Sequence, residues 1–79
     1  MTVIQADFLG DYRIDIRFSD GTKRTIDFAH AFSRLQGYYA QYRQPELFQT
    51  FTTDNGNLIW GEDWDVIYPT WDLYEGKVR

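Results

Sequence analysis

Cysteine is missing from this 79-residue chain, and histidine occurs only once. The first absence removes every disulfide framework and every thiolate metal site, and it fits a reducing compartment. The second removes metal centres and acid–base pairs built on two imidazoles. Serine is nearly as scarce, with Ser19 and Ser33 alone. No Ser/His/Asp order can be assembled from these, and there is no glycine-rich phosphate loop. No apolar run approaches the ~20 residues of a membrane span. Met1–Gln5 has neither the basic start nor the apolar stretch of a secretion signal. The expectation is a cytoplasmic protein that is not an enzyme and holds no metal or cofactor.

What the chain has in abundance is aromatic: three Trp, six Tyr and six Phe. A domain this short buries only about 60–65% of the surface its unfolded form exposes. Large rings, each burying roughly 150–250 Å², can supply a core without disulfides or a structural metal. One domain over 1–79 is expected, with 75–79 frayed. The net charge of −4 is uneven. Residues 1–44 carry six basic and five acidic groups, whereas residues 45–79 carry two basic and seven acidic. The acidic half disfavours nucleic acid, whose phosphates demand cations. It serves solubility and would also suit a basic partner.

Tyr12–Phe18 alternates without a break, the period of a half-buried strand with its even positions inward. Lys23–Phe28 repeats that parity through Ile26 and Phe28. A two-residue turn at Asp20-Gly21 would set Ile26 opposite Asp15. A three-residue Ser19-Asp20-Gly21 loop instead sets Phe18 opposite Thr22 and Ile14 opposite Ile26, with Gly21 in the left-handed position. The three-residue loop is therefore predicted, with Arg13 facing Asp27 as a weak cross-strand pair. Arg24 keeps the inward parity, and its stem is expected to run along the sheet. Thr2–Leu9 reads as an earlier strand. Ile4, Ala6 and Phe8 compete there with Val3 and Leu9, which calls for a bulge or for cover on both faces.

From Phe28 the period changes. Phe28, Phe32, Leu35, Tyr39 and Tyr42 share one helical face, but Gly37 interrupts it, leaving one helix or two short ones. Pro45-Glu46-Leu47-Phe48 resembles the first turn of another. Phe51–Asp54 and Asn57–Trp60 flank Asn55-Gly56, a strong hairpin signal that opposes Thr53 to Leu58 and Phe51 to Trp60. An irregular or short-strand stretch should follow Gly61, then a turn or short helix opened by Pro69. The fold class is thus α+β: a small antiparallel sheet of three N-terminal strands, short helices and a C-terminal hairpin, packed against the helices.

His30, between Phe28 and Phe32, is read as a helix-start or surface residue. Glu62, Asp63 and Asp65 could offer oxygen ligands to a hard cation, but Gly61 lies on the wrong side of them for a calcium loop. A solvated acidic loop is the simpler reading. Arg13, Arg17, Lys23 and Arg24 form no single stripe, which argues against a nucleic-acid surface. Tyr38, Tyr39 and Tyr42 exceed what one helix face can bury, and Trp60, Trp64 and Trp71 fall within twelve residues beside acids. These rings read either as core and lids over a small sheet or, where exposed, as a partner-binding patch. Trp64, Trp71, Tyr74, Tyr38, Asp63 and Asp65 are the candidate partner-binding residues.

The order of these features resembles a family of short bacterial proteins, the domain of unknown function 2442. The resemblance rests on Gly10-Asp11-Tyr12-Arg13-Ile14, Phe18-Ser19-Asp20-Gly21, Ile26-Asp27-Phe28, Gly37, Tyr39 and Pro45-Glu46-Leu47-Phe48. It continues through Leu58-Ile59-Trp60, Asp65-Val66 and Leu73-Tyr74-Glu75, covering nearly the whole chain. Two segments depart from it: the tyrosine-rich Tyr38–Tyr42, and Gly61-Glu62-Asp63-Trp64 in place of a Pro-Asn-Gly-like loop. The resemblance implies an α+β fold and no established activity, and it supplies no functional residues. It also suggests partnership with a second small protein. The functional expectation is a non-enzymatic protein-interaction or regulatory module, the acidic partner of a two-protein, antitoxin-like system. The alternative is a small-ligand or divalent-cation module built on residues 60–74.

Overall fold

The computed structural model describes residues 2–78. Three N-terminal strands, β1 (Val3–Gly10), β2 (Arg13–Phe18) and β3 (Lys23–Asp27), form an antiparallel sheet in that order. In β2 the alternation is realised in full: Ile14, Ile16 and Phe18 are buried while Arg13 and Arg17 face solvent. The β2–β3 register sets Ile14 opposite Ile26, as the three-residue loop requires. Gly21 sits at φ 91°, its N–H donates to the Phe18 carbonyl, and the Phe18 N–H donates to the Thr22 carbonyl.

Arg13 does lie opposite Asp27, but they are not an ion pair. The Asp27 carboxylate accepts the Ala29 N–H at 2.8 Å, and the Arg13 guanidinium lies 3.9 Å from Asp11. The local backbone donor wins because it needs no long side chain to be ordered. Arg24 is exposed, and its guanidinium reaches to the end of the last helix, beside Gly76.

The competing parities of β1 are settled by bulges. Val3 pairs with Phe18 and Gln5 with Arg17, so Ile4 is an extra residue; the pairs Phe8–Ile14 and Gly10–Arg13 make Leu9 a second. Each insertion flips the parity. Val3, Ala6 and Phe8 therefore all pack on the core, and the two inserted residues, Ile4 and Leu9, are exposed.

The helical region is two pieces. Helix α1 (Ala29–Ser33) buries Phe32, and Gly37, at φ 62°, opens a 3₁₀ helix over Gly37–Arg43. The left-handed glycine resets the phase, so the expected single face holds for Phe28, Phe32 and Tyr42 while Tyr39 turns outward. Helix α2 (Pro45–Phe48) follows with Pro45 in its first turn and Phe48 fully buried.

Strands β4 (Thr52–Asp54) and β5 (Asn57–Trp60) form the expected hairpin, Thr53 opposite Leu58. Positive φ at both Asn55 and Gly56 makes it a type I′ turn. Strand β6 (Val66–Tyr68) then pairs with β5, so the hairpin becomes a second three-stranded sheet rather than an appendage of the first. Helix α3 (Thr70–Glu75) starts after Pro69, and the Thr70 hydroxyl donates to the Gly56 carbonyl. It closes on Gly76 at φ 73°, with the Lys77 N–H on the Asp72 carbonyl and the Gly76 N–H on that of Leu73. These two hydrogen bonds satisfy two end carbonyls. Of the tail expected to fray, Val78 packs against the core and residue 79 lies outside the described residues.

Both sheets feed one core. At its centre Phe28, Phe32, Phe48 and Trp60 meet with ring centroids 4.9–6.2 Å apart, mostly edge to face, the arrangement that ring quadrupoles favour. The Trp60 indole N–H donates to the Phe48 carbonyl at 2.8 Å. Among the described residues no buried side-chain nitrogen or oxygen lacks a partner. Trp60, expected on the apolar face of the hairpin, is thus a core residue.

Candidate functional site

The 3₁₀ helix and the turn that follows β5 lie against each other, and one hydrogen bond joins them. The Tyr42 hydroxyl donates to Asp65 at 2.8 Å. Burial, and then the hydrogen bond and charge of Asp65, push the Tyr42 phenol up to about 12, with the Tyr38 hydroxyl contributing. The phenol therefore stays neutral and a donor across the ordinary pH range. Gly61, at φ 86°, lets the two segments close. A Cβ there would fall 2.6 Å from the Tyr42 hydroxyl and 2.7 Å from the Asp65 carboxylate.

Between these segments runs an open groove of about 330 Å³, lined among others by Tyr38, Tyr42, Glu62, Asp63 and Asp65. A second groove of about 300 Å³ adjoins it through Thr50, Gly61 and Glu62, and reaches Thr52 and Ile59 on the second sheet. Among the described residues no Lys, Arg or His lines either one.

The six candidate residues separate into two groups. Tyr38, Asp63 and Asp65 line the acidic groove, with Tyr38 65% exposed. Trp64 stands between the two aspartates in sequence, 47% exposed, at φ 56°. That left-handed conformation is uncommon for a bulky side chain and costs roughly 1–2 kcal/mol. Trp71 and Tyr74 are instead on α3. Tyr74 serves the fold: its ring packs on Phe18 at 5.0 Å and its hydroxyl donates to Asp20 at 2.9 Å. The Asp20 carboxyl is held below its ordinary range, chiefly by the Thr22 backbone N–H and then its side chain, with Tyr74 adding to it. Trp71 is 62% exposed and touches Tyr74 edge-on.

Gln41, Leu47 and Thr50 also line the groove without having been singled out, because nothing in sequence joins them to residues 61–65. Glu62 was legible only as part of an acidic run. Among the described residues no three His, Cys, Asp or Glu side chains converge in a way that could hold a metal ion. His30 is exposed. Both serines hold backbone: Ser19 accepts the Thr2 N–H, and Ser33 donates to the His30 carbonyl. Among the described residues no helix is long and apolar enough to cross a membrane.

The fold and the groove define a small α+β domain in which two three-stranded antiparallel sheets share an aromatic core beneath an acidic concave surface. The chain belongs to the family described as protein of unknown function (DUF2442), whose model matches residues 3–76. No curated protein and no solved structure matches it.

Proposed function

We propose that the protein is a cytoplasmic, non-enzymatic interaction or regulatory module, the acidic member of a two-protein, antitoxin-like pair. The supporting observation is the concave surface carrying Glu62, Asp63 and Asp65 with the exposed Tyr38 ring at the same groove. Uncompensated charge of one sign beside exposed aromatics is suited to recognising a partner of the opposite sign. The cysteine-free composition suits a reducing compartment.

Co-purification of the tagged chain from its own cells is the test. A basic protein should be recovered at near-equal stoichiometry and released by salt. A wild-type chain that remains monomeric and alone at low ionic strength contradicts the reading.

A second reading, a module for a small ligand or a divalent cation, draws on the groove's volume of about 330 Å³. That volume is at the low end of the roughly 300–1,000 Å³ typical of ligand sites. Tryptophan fluorescence that stays flat against divalent cations and a metabolite panel removes this second reading.

A further inference from the structure

Strand β3 is the open edge of the first sheet. In the order β1-β2-β3 it has a neighbouring strand on one side alone. The opposite edge, β1, lies against β4 and β5 of the second sheet. The edge strands of the second sheet have three residues each, too short to template another chain. Strand β3 runs five residues, Lys23–Asp27, with no proline and no break in its pairing with β2.

The hydrogen-bond phase fixes what that edge presents. The Phe18 N–H donates to the Thr22 carbonyl at one end of the β2–β3 ladder, and the Phe28 N–H donates to the Tyr12 carbonyl at the other. Between them the register is unbroken, so Arg24 and Ile26 exchange bonds with β2. Lys23, Thr25 and Asp27 therefore turn their N–H and C=O groups outward. Among the described residues no other backbone group meets them, and all three residues are exposed.

We infer that β3 pairs antiparallel with β3 of a second copy about a two-fold axis through Thr25, joining the two N-terminal sheets into one. Such an axis sets Thr25 opposite Thr25, and Lys23 of each copy opposite Asp27 of the other. These are the residues whose backbone groups are free, so each opposed pair exchanges two hydrogen bonds. Their side chains share the outer face. There each lysine meets an aspartate and the threonines meet at the axis, pairings that favour strand association. Lys23 already lies 3.5 Å from Asp15, and its ammonium has three donors to share. Asp27 accepts the Ala29 N–H through Oδ1, which leaves Oδ2 for the lysine. On the inner face Arg24 falls opposite Ile26 of the second copy, but its guanidinium is turned away, beside Gly76 at the end of α3.

The charges also discriminate against other pairings. A parallel pair in register sets Lys23 on Lys23 and Asp27 on Asp27. An antiparallel pair centred on Arg24 sets Arg24 on Arg24. The isologous pair about Thr25 avoids all of these contacts. One short strand from each copy makes a small contact, so the dimer should dissociate on dilution. The inference stands apart from the interaction-module reading, because it uses a different surface and needs no second protein.

The test uses the full chain alone. Sedimentation equilibrium should show monomers passing to dimers as the protein is concentrated into the millimolar range. Over the same range hydrogen exchange should slow at the Lys23, Thr25 and Asp27 amides, while those of Arg24 and Ile26 are protected throughout. A sample mixed from differently labelled copies should give an intermolecular Hα–Hα contact between Arg24 and Ile26, a non-hydrogen-bonded pair across the axis. Lys23→Glu, folded by circular dichroism, should weaken the dimer about tenfold, since it sets like charges at both symmetry-related pairs. Thr25→Pro removes an N–H that β2 does not use and should be folded and monomeric.

A chain that stays monomeric throughout that range overturns the inference. So does a dimer whose slowed amides lie outside β3, or one that Lys23→Glu leaves as tight as wild type. A co-purified partner that protects the β3 amides of an otherwise monomeric chain assigns the edge to that partner and overturns the second copy. A dimer that forms as described but captures no other protein upholds this inference while contradicting the interaction-module reading.

Discussion

Replacing Gly61 by alanine perturbs the bond that shapes the groove. Two costs add. At φ 86° a residue with a Cβ is strained by about 1–2 kcal/mol. The new methyl would also lie 2.6 Å from the Tyr42 hydroxyl and 2.7 Å from the Asp65 carboxylate. The Tyr42 ring is buried and cannot swing aside, so the half-buried Asp65 must turn away and the hydrogen bond is lost, for about 1 kcal/mol. The sum is about 2–3 kcal/mol, which for a domain of this length corresponds to a melting temperature lower by roughly 10–25 °C.

Urea unfolding followed by tryptophan fluorescence measures this directly, and the same cost should be partly relieved in a Tyr42→Phe background, where one of the two clashing atoms is gone. The predicted coupling between Gly61→Ala and Tyr42→Phe is at least about 0.5 kcal/mol, of the sign that makes the double variant less damaged than the sum. A Gly61→Ala chain within about 0.5 kcal/mol of wild type, or costs that simply add, would refute the reasoning.

Three further outcomes follow from the same geometry. Trp60→Ala removes the ring at the centre of the core and the donor to the Phe48 carbonyl; a loss of about 3–5 kcal/mol is expected in denaturant melts. Trp64→Asn, at a left-handed position that asparagine tolerates, should leave stability unchanged or raise it by up to about 1 kcal/mol; a clear loss would mean the indole packs on the fold. The Tyr42 phenol is raised from the ordinary 10 to about 12, so the folded state retains a proton that the unfolded state releases. Its contribution to stability is therefore complete below pH 10 and is lost as pH rises from 10 to about 12. Tyr42→Phe should remove that part of the alkaline loss. The part due to Tyr68, whose phenol burial also raises, should remain.

Much of the fold is legible wherever a turn fixes the register. Parity alone excludes a two-residue turn at Asp20-Gly21, and Asn55-Gly56 specifies the second hairpin, both as found. The conflict in β1 was legible as a conflict, and bulges at Ile4 and Leu9 resolve it. Strand β6 was harder, because three residues hold too little alternation to separate a strand from an irregular stretch. Tyr39 was misplaced on the buried face because a period of 3.6 does not survive a left-handed glycine followed by a 3₁₀ turn.

The site is less legible for a physical reason: its defining contacts are long-range. Tyr42 and Asp65 are 23 residues apart, and Tyr74 and Asp20 are 54 apart. Composition could mark Asp65 and Tyr74 as chemically notable. It could not say that one shapes a groove while the other fastens α3 to the β2–β3 turn.

The most direct measurement of the central claim is hydrogen exchange on the protein with and without its co-purified partner. Protection on binding should appear in the 3₁₀ helix and across residues 61–65, whose Glu62, Asp63 and Asp65 line the acidic groove, and should weaken as salt is raised. Protection confined to α3 and the β2–β3 turn, or none at all, would contradict it.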